Sequence, residues 1–158
     1  MNIFVLSKNP KIAAKYHCDK HVVKMILETK QILDAASSKS GKNKSGKQLA
    51  WFNHPCSIWA RTSRQNYIWL INLGKELCIE YTYRYNKVHK YEQSFYKIKI
   101  PKFIPDIGLT KFALAMPTDC KCNTAVKSYR LYYCKYKNHI ASWKNRPIPK
   151  WYLSGTKN

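Results

Sequence analysis

Acidic residues are scarce in this chain: eight Asp and Glu stand against 29 Lys and Arg in 158 residues, a formal charge of +21. A charge that one-sided repels itself, and a polyanionic partner is its natural explanation. Any acid facing such a partner weakens binding, so each one is kept for structure or for chemistry. Glycine is scarce too, at five, and no glycine-rich phosphate loop or Ser-centred elbow is present, which excludes those nucleotide-binding and hydrolase classes. Long apolar runs are missing. Ile3–Leu6 is too short for a signal-peptide core, and nothing approaches the ~20 apolar residues of a membrane span. The expectation is a soluble intracellular protein with no membrane partner and with reduced thiols. Paired metal spacings are missing as well. His17, Cys18 and His21 cluster, and His54 and Cys56 lie near each other, but Cys120 and Cys122 are one residue apart, tighter than zinc sites commonly use. No metal and no cofactor are expected, and a Cys–His nucleophile finds no local signature.

Aromatic side chains are abundant. Twelve tyrosines and five tryptophans are interleaved with the basic residues, and hydrophobic residues make up 45% of the chain, which is a folding sequence and no disordered basic tail. Cations that meet phosphates and rings that stack on bases together predict a nucleic-acid partner.

Punctuation along the chain predicts helices. Asn9-Pro10 starts a short one to His17, and Asp19 can cap a longer one over Lys20–Ala36. Residues 37–50, rich in Ser, Lys and Gly, read as a flexible basic loop. Asn53 or His54 precedes another helix with Pro55 in its first turn, Ser63 caps a long one to Tyr85, and Asn86 suits its left-handed stop. Leu109–Met116 reads as one or two helical turns ended by Pro117. Asn123 or Thr124 caps a last helix that Trp143 ends, and residues 146–158 form an extended basic-aromatic tail. The fold class expected is all-α, a compact single domain with long irregular basic loops.

The stretch from Asp19 to Leu33 organises the rest. At about 100° per residue, Val22, Ile26, Thr29 and Leu33 share one side. His21, Lys24, Glu28 and Gln31 share another: an imidazole, an ammonium, a carboxylate and an amide in one row, which is a plausible catalytic inventory. The plainer reading is a solvated face with a Lys24–Glu28 pair at helical spacing. Asp19 is as good a cap as a catalyst.

Asp19, Lys24-Met25-Ile26-Leu27-Glu28 and Gln31-Ile32-Leu33 resemble the Asp…Lys-Gln-Arg-Val-Glu…Gln-Ile-Leu helix of the pyrimidine-dimer DNA glycosylase family. His54-Pro55 followed by Trp59 is similar to that family's His-Pro…Trp segment. The chain also resembles, over most of its length, a group of phage and large-virus proteins, through Cys18–Met25, Asn53–Cys56, Glu80–Tyr85 and Phe112–Pro117. A viral origin implies the host cytoplasm or nucleus, or the virion, as its location.

The glycosylase resemblance implies a helical enzyme that binds damaged duplex DNA and flips a nucleotide out of the stack. It implies an N-terminal α-amine that attacks the sugar C1′ to form an imine, with a glutamate supporting β-elimination. α-Amines titrate near 8, so a useful fraction is neutral. Carried onto this chain, Met1 is the nucleophile, Glu28 the acid/base, Lys24 the phosphate contact and His21 an assistant. Two departures stand out. The family's best-known members expose threonine after methionine removal, whereas Asn2 is bulky and predicts that Met1 stays. Their glutamate falls where His21 stands here, so Glu28 takes its role by location, with Lys20 or Lys24 as a fallback nucleophile. Lys42, Lys44, Lys47, Arg61, Arg64, Arg130 and Arg146 are the expected phosphate contacts. Trp51, Trp59, Trp151 or Tyr152 is expected to stack on or wedge beside the lesion, and His54 to contact the nucleic acid. The leading function is a DNA-repair glycosylase with abasic-site lyase activity, acting as a monomer. The alternative is a non-catalytic nucleic-acid-binding protein packaged with a viral genome.

Overall fold

The computed structural model describes residues 1–156. Among them lie seven α-helices and no strand: α1 (Pro10–Tyr16), α2 (Asp19–Ala36), α3 (Pro55–Thr62), α4 (Arg64–Tyr85), α5 (Glu92–Tyr96), α6 (Ala125–Tyr136) and α7 (Lys150–Gly155). The all-α class expected from the sequence is the observed one. No helix among the described residues is long and apolar enough to cross a membrane.

The caps follow from local chemistry. The Asn9 side chain accepts the Lys11 and Ile12 N–H groups, Ser63 accepts that of Gln65, and Thr124 accepts that of Lys127. Each satisfies a donor that the first helical turn leaves unpaired. Asn86 closes α4 in the left-handed region at φ 53°.

Four expectations need correction. Cys18, not Asp19, stands at the α2 cap position, because the Asp19 carboxylate is engaged by Arg84 and the Lys144 N–H. Residues 109–116 form no helix. Their backbone groups pair instead with side chains: the Thr110 N–H with Asn66, the Ala113 carbonyl with Tyr129, and the Ala115 carbonyl with Asn2. Helix α6 stops at Tyr136, seven residues short of Trp143. The tail is extended only to Pro149; Lys150–Gly155 is helical and packs on α6. Residues 157–158 of the expected tail lie outside the described residues.

Helix α4 is the axis, packed against α1, α2, α3 and α5. Gly74 on α4 admits the Phe95 ring of α5 so closely that an added Cβ would lie 2.1 Å from it. One continuous buried cluster runs from Ile3–Leu6 through α2 and α4 to Tyr129 and Tyr133 of α6.

Ions also tie the halves together. Fully buried Arg84 donates to Asp19 at 2.9 Å, to Glu80 at 2.8 Å and to the Lys15 carbonyl at 3.1 Å. Arg146 grips Glu80 with two bonds of 2.9 Å. Burial alone would raise the Glu80 carboxyl, but the hydrogen bonds and charges of Arg146 and Arg84 hold it below its ordinary value.

Loop 37–50 has its own order. The Asn43 side chain accepts the Ser45 and Lys47 N–H groups, the Leu49 N–H donates to Gly41 at 2.7 Å, and Lys42 bridges Gln48. The result is a closed turn that presents Lys42, Lys44 and Lys47 to solvent.

Candidate active site

Chain ends usually fray, but the first residues here run buried across α2. Ile3, Val5 and Leu6 are fully covered, and the Met1 side chain packs on the core. That path brings the Met1 amine to 3.6 Å from the Glu28 carboxylate. The Asn2 N–H donates to the same oxygen at 3.0 Å, and Lys24 sits 3.3 Å from the other one. The Glu28 side chain is 11% exposed while that of Lys24 is 69% exposed. One carboxylate therefore bridges the Met1 amine and an open ammonium.

His54 lies within electrostatic reach of this group. Burial lowers its pKa first, the nearby N-terminal amine lowers it further, and Glu28 opposes them. Its Nδ1 accepts the Cys56 N–H at 3.2 Å, which puts the proton of the neutral ring on Nε2. Trp51 stands edge-on to His54 at 5.9 Å, half exposed and with φ +66°. A bulky residue in that region is a true outlier. Cys56 is no thiolate: burial pushes its pKa up to about 12.

The structure divides the α2 row. Val22, Ile26, Thr29 and Leu33 are all buried, as the spacing requires, but His21 is buried as well. It lies two turns, about 10 Å, up the helix from Glu28. Phe4 packs against its ring at 4.4 Å, and the Tyr133 hydroxyl lies 2.6 Å from its Nδ1. Burial, followed by the charges of His17 and nearby lysines, lowers its pKa to about 3. The expected catalytic assistant is thus a neutral core residue, because the N-terminal segment and α6 cover the face that a free helix would show to water. Gln31 is exposed and makes no contact with the site.

Several expected nucleic-acid contacts are also engaged in the fold. Trp59 is 5% exposed and packs on Trp69 and Phe112, so it cannot reach a base. Tyr152 is buried against Trp143. Half-buried Trp151 meets Tyr16, Tyr133 and Tyr152 edge-on. Arg130 donates to the Leu6 carbonyl and lies over Tyr16 and Trp151. Arg146 is held by Glu80, and Arg61 donates to the Phe52 carbonyl over the Phe52 ring. Lys42, Lys44, Lys47, Arg64 and Trp51 remain exposed, and His54 is partly so. Asn2 and Tyr129 escaped the sequence reading. The one available signal was a polar residue directly before the apolar run Ile3–Leu6.

A cleft of about 470 Å³ lined by Lys8, Lys111, Phe112 and Thr124 shares no lining residue with the amine site. Among the described residues no three His, Cys, Asp or Glu gather as metal ligands.

The site thus combines an amine, a nearly buried carboxylate and an exposed ammonium in a basic all-α protein. The family described as pyrimidine dimer DNA glycosylase matches residues 1–93. The chain belongs to that family. Membership makes it a DNA glycosylase in general terms, with DNA as its partner. The match spans α1 to α4, including the amine, Glu28 and His54. No curated protein and no solved structure matches the chain.

Proposed function

We propose that the chain is a DNA glycosylase with abasic-site lyase activity, acting on pyrimidine-dimer-like damage in duplex DNA. The observation that carries this reading is the Met1 amine 3.6 Å from Glu28 inside the segment that matches the family.

The Met1 amine attacks C1′ while the N-glycosidic bond breaks, and the departing base takes the bonding pair and a proton from water. Glu28 accepts a proton from the amine and returns one to O4′ as the sugar ring opens, which leaves an imine between the chain and C1′. Glu28, again a carboxylate, then takes the C2′ proton, and the 3′ phosphate leaves with the C3′–O bonding pair. Water releases the product and restores the amine. Exposed Lys24 supplies a phosphate contact beside the carboxylate. Lys42, Lys44, Lys47 and Arg64 add cations, with Arg61, Arg130 and Arg146 acting mainly as internal braces. Trp51 offers a ring for stacking, and its unfavourable backbone conformation is consistent with a functional reason for its placement. The His54 Nε2–H donates to the strand next to the amine. The enzyme works as a monomer.

The test is incubation with ultraviolet-irradiated and abasic duplexes. Base release and nicking are expected on the first and nicking on the second. Tight, salt-sensitive binding without either product would overturn the enzymatic reading and leave the non-catalytic binding protein.

A further inference from the structure

We propose that Asn2 is the positioning residue of the amine site, and that it acts by tying the first residues to the segment 109–116, outside the family match. The chemistry this serves rests on the function proposed above; the placement rests on geometry alone.

Asn2 is 6% exposed, unusual for an amide one residue from a terminus. Both polar atoms of its side chain and its backbone N–H are engaged. Its Nδ2 donates to the Ala115 carbonyl at 2.6 Å, and its Oδ1 accepts the Ile3 N–H at 2.8 Å and the Phe4 N–H at 3.3 Å. Its own N–H donates to Glu28. An Asn side chain that receives the N–H groups following it fixes a local turn. That turn feeds Phe4 at φ +33°, in the left-handed region. The kink lets the Phe4 ring pack against His21 while the amine stays at Glu28.

The anchor is itself held. The buried Tyr129 hydroxyl donates to the Ala113 carbonyl at 2.8 Å and accepts the Ala115 N–H at 3.4 Å. Tyr129 thus steadies the carbonyl that Asn2 grips. The path runs from α6 through Ala115 and Asn2 to the amine. Without the amide, the first two residues keep only apolar packing and the Glu28 contacts, and a nucleophile displaced by about 1 Å loses on the order of a hundredfold in rate.

The experiment compares wild type, Asn2→Leu and Tyr129→Phe, each confirmed by intact mass to carry the same first residue. Leucine keeps a bulky second residue and the apolar fit while removing every side-chain hydrogen bond. Asn2→Leu is expected to lower the single-turnover rate on abasic duplex about a hundredfold at unchanged DNA affinity. In the absence of DNA, its α-amine is expected to react faster with a small acylating ester. Tyr129→Phe moves both readouts in the same direction by less, and it decides the matter if Asn2→Leu does not fold. Wild-type rates and wild-type amine labelling in a folded Asn2→Leu would overturn the proposal. If wild type itself does not cut DNA, the function proposed above fails, and the labelling comparison still judges the positioning.

Discussion

The start and the middle of α2 hold acids in opposite ways. At its start, Asp19 joins Glu80 in a closed cluster in which Arg84, Arg146 and the Lys144 N–H occupy the carboxylate oxygens. Two turns later, Glu28 faces an amine, a backbone N–H and one exposed lysine. The first arrangement surrounds the carboxylates with fixed donors and holds the Glu80 carboxyl below its ordinary value. The second leaves a carboxylate next to a group that must lose a proton. In a chain with eight acids, this contrast separates acids kept for structure from the one we assign to chemistry.

The sharpest way to break the contrast is to neutralise Glu28 and, separately, to remove the cation that holds Asp19 and Glu80. Glu28→Gln should lower turnover by roughly 10²- to 10⁴-fold, the range of general acid–base contributions, with DNA affinity and melting temperature nearly unchanged. Equal loss of binding and turnover would make Glu28 structural. Arg84→Leu should do the reverse and cost about 3–5 kcal/mol of stability in denaturant titration, because Asp19 and Glu80 are left without their buried partner.

The start of α2 should also fail in acid. Burial lowers His17 to about 4 and His21 to about 3, whereas both titrate near 6.5 when unfolded. The unfolded chain therefore binds more protons between those values. Their contribution is complete above about pH 6.5 and drains away as pH falls toward 4 and 3. At pH 5 the loss is about 2 kcal/mol per histidine. A His21→Phe variant should flatten this slope, as read from denaturant midpoints between pH 7 and 5. Of similar size, Trp51→Ala should weaken DNA binding by about 1–3 kcal/mol without altering the melting temperature.

Much of the fold was legible because its signals are local. Asn9-Pro10, His54-Pro55, Ser63, Asn86 and Thr124 mark helix ends by their own hydrogen bonds and dihedrals. Residues 109–116 misled because their partners, Asn66, Tyr129 and Asn2, lie 14 to 113 positions away in sequence. The site was legible only in part. Helical spacing put His21 and Glu28 on one row, but spacing cannot say what covers each turn. The N-terminal segment brings an amine to one and an aromatic lid to the other. Trp59 and Tyr152 read as stacking rings for the same reason, since an aromatic residue looks alike in sequence whether it meets a base or a core.

The most direct measurement is borohydride trapping on abasic duplex, followed by peptide mapping of the adduct. A stable crosslink at the Met1 amine that Glu28→Gln suppresses is the predicted result. A crosslink confined to Lys20 or Lys24, or none at all despite tight binding, would contradict the assignment of the amine–Glu28 pair.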